Sequence, residues 1–316
     1  MTLSAFRKGS ECNDLTEETR VFLWKKIKPL LPTYIISFAI CFVSFCLTSS
    51  SVRSLHDLAV TAFRNIPGFL TFADLAITDK LRSVNSVTWY ISTMLLVMAL
   101  LYPLVRKSRY FQRIGAPVLG FVILGYLCIT FRSLLNPRAI ALNGLLFKGY
   151  LRGLSEICLG ILSFNITRYH LDQIKPTLLG RLLLNGIEVL SFIIIMFTSV
   201  FSGNGQYDFI CIIAIIFFIS LSFSKHSLCS DLFNNKLCYY LGKVSLSIFL
   251  SHISIIFIFS YRKPAFFESL SLSRQVCLVL SLAVILGIAV DWLSRLKLPL
   301  SLFVKENDSS QTELIH

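Results

Sequence analysis

The chain has 316 residues, of which 55% are hydrophobic and only 15% are charged, and its mean hydropathy is +0.71. Soluble domains carry about 25% charged residues, so this composition excludes an ordinary soluble enzyme, a disordered protein and a nucleic-acid-binding domain. The formal net charge of +13 therefore indicates basic loops retained on the cytoplasmic side of a membrane, and no nucleic-acid partner is expected.

Long apolar segments dominate the chain. A helix needs about 20 mostly apolar residues to cross a bilayer. Eight segments approach that requirement, at residues 34–50, 87–105, 115–133, 141–166, 182–202, 207–224, 238–259 and 275–293. We predict an all-α integral membrane protein with about eight transmembrane helices in a bundle. Its expected parts are a basic and aromatic juxtamembrane segment (1–33), a membrane domain (34–295) and a polar tail (296–316).

Lysines and arginines between these segments set the expected orientation, because cytoplasmic loops are enriched in them. Placing the N-terminus inside puts most basic residues in inner segments, so both termini are predicted to be cytoplasmic. Segment 51–86 then lies outside. Its stretch Ile66–Phe72 is too short to span, which predicts an interfacial or re-entrant piece. The uncharged loop 203–206 is typical of an outer turn.

Two classes of sequence signal are missing. The first 20 residues are polar and include several acidic residues, so they lack the apolar region of a signal peptide. The nine cysteines show no CxxC pair and no metal-ligand spacing. Most lie in apolar stretches, where cysteine acts as a small hydrophobic residue. We expect neither a disulfide framework nor a metal site.

Charged residues inside apolar segments are costly and are therefore candidates for function. Lys148, Arg152 and Glu156 are spaced by four residues and share one helix face. Arg152 and Glu156 can form an ion pair, which lowers the cost of burying either. The group is either a structural ion pair or a cationic pocket for an anionic or carbonyl-bearing substrate.

Two further polar residues lie in later segments. Glu188, beside Asn185, is a second buried acid, and Arg152 or Lys148 could pair with it. Its role is either structural or substrate-binding. His252 lies seven residues after Ser245, so the two share a helix face. His252 is either a general base or a partner in an interhelical hydrogen bond.

Two aromatic and basic patches flank the predicted spans. Lys25, Lys26 and Lys28 lie just before the first span, where they either anchor anionic lipid or hold the phosphates of a donor. Trp89 and Tyr90 open the second span at its outer end, as residues of an aromatic belt do.

Four motifs in order resemble the acyltransferase 3 family of bacterial membrane O-acyltransferases. Phe22–Tyr34 resembles its F-x-x-[RK]-R-x-x-R-[LI]-x-P-x-Y segment, and Asn85–Ser92 its N-x-x-x-W-Y-L-S motif. Arg152–Gly160 resembles R-G-x-x-E-x-x-x-G, and Leu241–His252 resembles L-G-x-x-S-x-x-I-[YF]-L-x-H.

The resemblance implies transfer of an acyl group, usually acetyl, from cytoplasmic acyl-CoA to a hydroxyl of a cell-surface or lipid-linked glycan. It implies a multi-pass protein of the bacterial cytoplasmic membrane that contacts lipid and the glycan acceptor. A second copy of the chain is a further candidate partner. Acyl-CoA is a substrate, and no tightly bound cofactor is expected. The expected catalytic residues are His252, Arg152 and Glu156. Substrate binding is expected from Lys148, Glu188, Trp89, Tyr90 and Ser245, and acyl-CoA binding from Lys25, Lys26 and Lys28.

The chain also departs from the family pattern. Lys26 and Pro29 stand where the juxtamembrane motif has arginines. The family's first span, which carries an arginine and a histidine regarded as catalytic, has no counterpart before Tyr34. We therefore expect either a shortened chain or a divergent member that lacks the N-terminal spans.

Two other functions stay open. The buried charges and His252 could line the pathway of a transporter or flippase for a polar or lipid-linked substrate. Transporters often contain two related halves, and the sequence shows no such symmetry. The other alternative is a catalytically inactive accessory membrane protein.

Overall fold

A computed structural model describes residues 15–49, 52–70, 84–134, 136, 139–142, 146–201, 207–227, 235–262 and 265–296. Most of the described residues are helical. The first part of the juxtamembrane segment, the predicted outer turn 203–206 and nearly all of the polar tail lie outside the described residues.

Eleven α-helices lie in the described part of the chain. They are α1 (Leu15–Ile27), α2 (Leu31–Thr48), α3 (Leu55–Leu70), α4 (Trp89–Lys107), α5 (Ala116–Phe131), α6 (Lys148–Tyr169), α7 (Leu178–Phe201), α8 (Asp208–Ser222), α9 (Lys236–Arg262), α10 (Ala265–Glu268) and α11 (Leu272–Arg295). A π-turn over Phe111–Gly115 leads directly into α5. Two short strands, β1 (Ile140–Ala141) and β2 (Leu146–Phe147), pair antiparallel with Ile140 opposite Phe147.

The predicted all-α membrane architecture is confirmed. Six helical segments in the described ranges are long and apolar enough to cross a membrane: Leu31–Thr48, Trp89–Lys107, Phe111–Phe131, Leu178–Phe201, Lys236–Phe259 and Leu272–Arg295. The other two predicted spans also form helices. However, α8 has only 15 residues, and α6 carries the charged residues Lys148, Arg152, Glu156 and Arg168. The predicted number of about eight spans is therefore approximate.

The chain divides into two compact units. The first contains the described residues of Met1–Pro29 and Ser49–Lys243, and the second those of Leu30–Thr48 and Val244–His316. The first unit thus holds α1 and α3–α8. The second holds α2, most of α9, and α10 and α11.

Small residues let α5 and α6 approach closely in the first unit. The hydroxyl of Ser155 donates a 2.8 Å hydrogen bond to the carbonyl of Gly120. A Cβ atom added to Gly120 would lie only 3.0 Å from Leu159 and 3.1 Å from Cys158. Contacts of this kind are typical of helix pairs in membranes, where small residues bring the backbones together.

Helix α1 packs antiparallel along the second half of α4. The Glu18 carboxylate accepts hydrogen bonds from the Tyr102 hydroxyl at 3.0 Å and the Arg106 Nε at 2.9 Å. One turn further along α1, the buried Phe22 stacks on Tyr102 with ring centroids 4.2 Å apart. This combination of an ion pair and a stacked aromatic pair fixes α1 on the first unit.

In the second unit, α9 and α11 cross at a glycine. A Cβ atom added to Gly287 would clash with Cγ1 of Ile248 and would lie only 2.7 Å from the Cα atom of that residue. The backbone of α9 thus lies where the side chain of any larger residue at position 287 would be. In the same unit, the rings of Phe45 on α2 and Phe257 on α9 pack edge to face with their centroids 5.6 Å apart.

Replacing Gly287 by alanine is expected to lower the free energy of unfolding by about 1–3 kcal/mol, because the new methyl group must push the two helices apart. The measurement is thermal or denaturant unfolding in detergent. Gly125→Ala on α5 is the matched control, since nothing lies within 4 Å of a Cβ atom added there. Equal stabilities of the two variants would contradict the close contact.

Candidate functional site

The predicted ion pair on α6 is formed. Nε of Arg152 donates to Oε1 of Glu156 at 2.6 Å. A second guanidinium nitrogen, Nη1, donates to the carbonyl of Leu134 at 3.2 Å, in the loop that follows α5. Both charged side chains keep part of their surface exposed, so Arg152 is held in place without being sealed from a ligand.

Lys148 is the first residue of α6 and lies one turn before Arg152. Lys148 is only 3% exposed. Its ammonium group lies over the ring of Phe131, 4.9 Å from the centroid. The positive charge of Arg152 and the negative charge of Asp208 both act on it. Lys148 thus places a second basic side chain beside Arg152 at the start of α6.

Asp208, which sequence reasoning missed, completes this group. Its Oδ2 accepts a 2.7 Å hydrogen bond from the backbone N–H of Leu134 and a 3.4 Å bond from the Ser133 hydroxyl. Leu134 is therefore held from two sides, by Asp208 at its N–H and by Arg152 at its carbonyl. The sequence did contain a signal, since an acid opens the apolar segment 207–224. We refer to Lys148, Arg152, Glu156 and Asp208 as the charged cluster.

Aromatic residues border the charged cluster at the start of α4. The Tyr90 phenol interacts electrostatically with both Glu156 and Arg152. Its ring meets that of Trp89 edge to face at 6.0 Å. The structure thus brings Trp89 and Tyr90, predicted as an aromatic belt or as substrate-binding residues, together with the α6 cluster.

The connection between α5 and α6, beside the cluster, has an unusual backbone. Arg132, Asn136 and Leu142 have positive φ angles of 54°, 56° and 49°. This left-handed region disfavours residues other than glycine, and such residues often occur at functional sites. The Tyr126 hydroxyl accepts a 3.0 Å hydrogen bond from the N–H of Leu142 and so supports one of them.

Glu188 lies near the end of α8, away from Asp208 at its start. Its partners are not Arg152 or Lys148, the cations predicted to pair with it. Glu188 is completely buried. Its Oε1 accepts hydrogen bonds from Ser222 at 2.5 Å and Ser227 at 2.9 Å, and Ser227 also reaches Oε2 at 3.0 Å. Arg152 is committed to Glu156 instead. Glu188 thus ties the end of α8 and the residues after it to α7.

His252 belongs to the second unit and has a defined hydrogen bond. Its Nδ1 lies 2.7 Å from the carbonyl oxygen of Phe249. Because a carbonyl only accepts, Nδ1 carries the proton, and in the neutral ring Nε2 keeps a free electron pair. Ser245 is exposed and lies two turns away, roughly 10 Å along the helix, so it does not contact the imidazole directly.

The predicted donor lysines lie at the end of α1 and beyond it. Lys25 and Lys28 are exposed, whereas Lys26 is half-buried with its ammonium 5.7 Å from the Phe22 centroid. Cations at the C-terminal end of a helix are also favoured by the helix dipole. Among the described residues, no group of three or more His, Cys, Asp or Glu side chains is placed to hold a metal ion.

Comparison with known proteins gives one family. The model of the acyltransferase domain family known as acyltransferase 3 matches residues 14–292, which is most of the chain. No curated protein and no solved structure matches. The match covers the second part of the juxtamembrane segment, the charged cluster, Glu188 and His252. The chain therefore belongs to the acyltransferase 3 family of membrane acyltransferases.

Proposed function

We propose that the protein transfers an acyl group, acetyl in the simplest case, from acyl-CoA to a hydroxyl of a cell-surface or lipid-linked glycan, in the bacterial cytoplasmic membrane. Family membership supports acyl transfer in general. The observation that carries the chemistry is the His252 hydrogen bond, because a ring with its proton on Nδ1 presents Nε2 as a base.

In the proposed reaction, Nε2 of His252 accepts the proton of the acceptor hydroxyl. The hydroxyl oxygen forms a bond to the thioester carbonyl carbon, and the carbonyl oxygen becomes an oxyanion. The carbon–sulfur bond then breaks, and the CoA thiolate leaves with the proton that His252 returns. The products are the glycan ester and CoA, so no oxidant or metal is needed for the balance.

The charged cluster is suited to stabilise a developing anion. Preorganised cations are effective when their positions do not change during the reaction. Arg152 meets this condition because Glu156 and the Leu134 carbonyl both hold its guanidinium. In this proposal, the role of Arg152 and Lys148 is to supply positive charge, and the role of Glu156 is to orient Arg152.

Most of the remaining predicted residues take binding roles in this proposal. Trp89 and Tyr90, next to the charged cluster, hold the sugar acceptor, and the exposed Ser245 contributes a polar contact to substrate. Glu188, predicted to bind substrate, is completely buried on Ser222 and Ser227 and keeps a structural role instead. Lys25, Lys26 and Lys28 bind the donor phosphates as point charges. The exposure of Lys25 and Lys28 supports this assignment, since a phosphate can reach them.

The test is acyl transfer by the purified protein in liposomes, with radiolabelled acetyl-CoA and a lipid-linked oligosaccharide. We expect label to appear in the glycan together with an equal amount of free CoA. Movement of the glycan across the membrane without acyl-CoA would instead support a flippase. Absence of both acyl transfer and glycan movement would support an accessory protein.

A further inference from the structure

Helix α3 is fixed by hydrogen bonds within its own first turn. The N–H of Asp57 donates to the Ser54 hydroxyl oxygen at 3.1 Å, and Asp57 Oδ2 accepts from the Ser54 N–H at 3.0 Å. This reciprocal capping box satisfies backbone donors at the helix start. The hydrogen bond from the Ser54 hydroxyl, followed by that from the N–H of Arg53, lowers the pKa of Asp57. The carboxylate is therefore ionised at neutral pH.

Five apolar residues form a stripe on α3 that the rest of the described chain leaves uncovered. They are Leu55, Ala59, Phe63, Ile66 and Leu70. At about 100° per residue, they fall within an arc of about 80°. Leu55 is 85% exposed, Phe63 80% and Leu70 66%. Apolar residues spaced in this way make a continuous surface rather than scattered contacts.

The other sides of α3 differ from the stripe. His56, Asp57 and Arg64 give it a polar side, and Phe69 is buried against the protein. The helix thus has one side for water, one for protein and one uncovered apolar side. This is the pattern of a helix that lies in the plane of a membrane interface.

Lipid fits the uncovered stripe better than a protein partner does. The 16 residues of α3 are too few to span a bilayer, and the helix contains Asp57 and Arg64. Six residues separate it from the end of the candidate span α2, so its first residue, Leu55, lies within about 25 Å of the end of that span. Arg53 and Arg64 carry the charge that phosphate headgroups attract.

We propose that α3 lies flat in the bilayer interface, on the side of the membrane where α2 ends, with its stripe in the acyl-chain region. This surface is independent of the acyl-transfer chemistry proposed above. It extends the expected interfacial stretch Ile66–Phe72 towards the N-terminus, over the whole of α3.

The test places one tryptophan on each side of α3 in the full-length protein. The three native tryptophans are first replaced by phenylalanine (Trp24→Phe, Trp89→Phe, Trp292→Phe). Phe63→Trp reports on the stripe and Arg64→Trp, one residue away, on the polar side. Both proteins are reconstituted in phosphatidylcholine–phosphatidylglycerol vesicles that contain lipid brominated near the headgroup end of its acyl chains.

We expect bromolipid to quench the Phe63→Trp fluorescence roughly twofold or more above that of Arg64→Trp, and aqueous iodide to show the opposite order. Equal bromolipid quenching of the two variants would overturn the proposal. A Phe63→Trp signal protected from both quenchers would also overturn it, because a protein would then cover the stripe. If Phe63→Trp does not run as a folded protein in gel filtration, Leu55→Trp on the same stripe replaces it.

Discussion

His252→Ala is expected to lower the rate of acyl transfer by a factor of about 10² to 10⁴, the range for loss of a general base. The Phe249 carbonyl holds Nδ1, so the proton-accepting nitrogen is Nε2. His252→Asn, which keeps a donor near the Phe249 carbonyl but has no basic nitrogen, should be as inactive as His252→Ala. Single-turnover transfer of radiolabelled acetyl to the glycan measures the effect.

The matched control is His170→Ala, because His170 is exposed at the end of α6 and has no part in the proposed reaction. It should retain the activity of the unmodified chain. Folding is monitored by the thermal unfolding temperature, which neither His252 variant should change greatly, since His252 is only partly buried. Activity of His252→Asn close to that of the unmodified chain would show that His252 is a structural residue.

The second large effect is expected at Arg152. Loss of one preorganised group that stabilises an oxyanion costs about 10² to 10³ in turnover, and we expect this loss for Arg152→Ala. Arg152→Lys should recover only part of the activity, because an ammonium group cannot contact both Glu156 and the Leu134 carbonyl in the fixed geometry of a guanidinium.

Glu156→Gln separates charge stabilisation from orientation. It keeps a hydrogen-bond acceptor for Arg152 and removes the negative charge. If Glu156 only orients Arg152, turnover should fall much less than in Arg152→Ala. A purely structural ion pair would give another result, in which all three variants lower the unfolding temperature and leave the activity of the remaining folded protein unchanged.

Local signals in the sequence predicted the helices well. Each of the eight apolar segments forms a helix. Their composition places them in lipid, where a helix satisfies the backbone hydrogen bonds within the segment itself. The segment predicted to begin at residue 141 is an exception at its start: residues 146–147 pair with residues 140–141, and α6 begins at Lys148. The predicted interfacial stretch begins only at Ile66, whereas α3 begins at Leu55, directly after Ser54 of the Ser54–Asp57 capping pair.

In the candidate site, contacts within one helix could be predicted from the sequence, whereas contacts between residues far apart in the chain could not. The Arg152–Glu156 pair follows from four-residue spacing on one helix and is formed. The contacts of Asp208 with Leu134, and of Glu188 with Ser227, join residues far apart in the chain. Spacing within one helix carries no information about such partners, so a single sequence could not predict them.

The close contact between α5 and α6 restricts how the protein can move. The Ser155 hydroxyl donates a hydrogen bond to the Gly120 carbonyl less than one turn from Arg152, and a Cβ atom at Gly120 would lie only 3.0 Å from Leu159. Sliding one helix past the other would break that hydrogen bond and disturb this close packing, which favours movement of the two helices as one hairpin. Binding of a substrate that displaces Arg152 therefore requires either a new side-chain rotamer of Arg152 or a joint movement of α5 and α6.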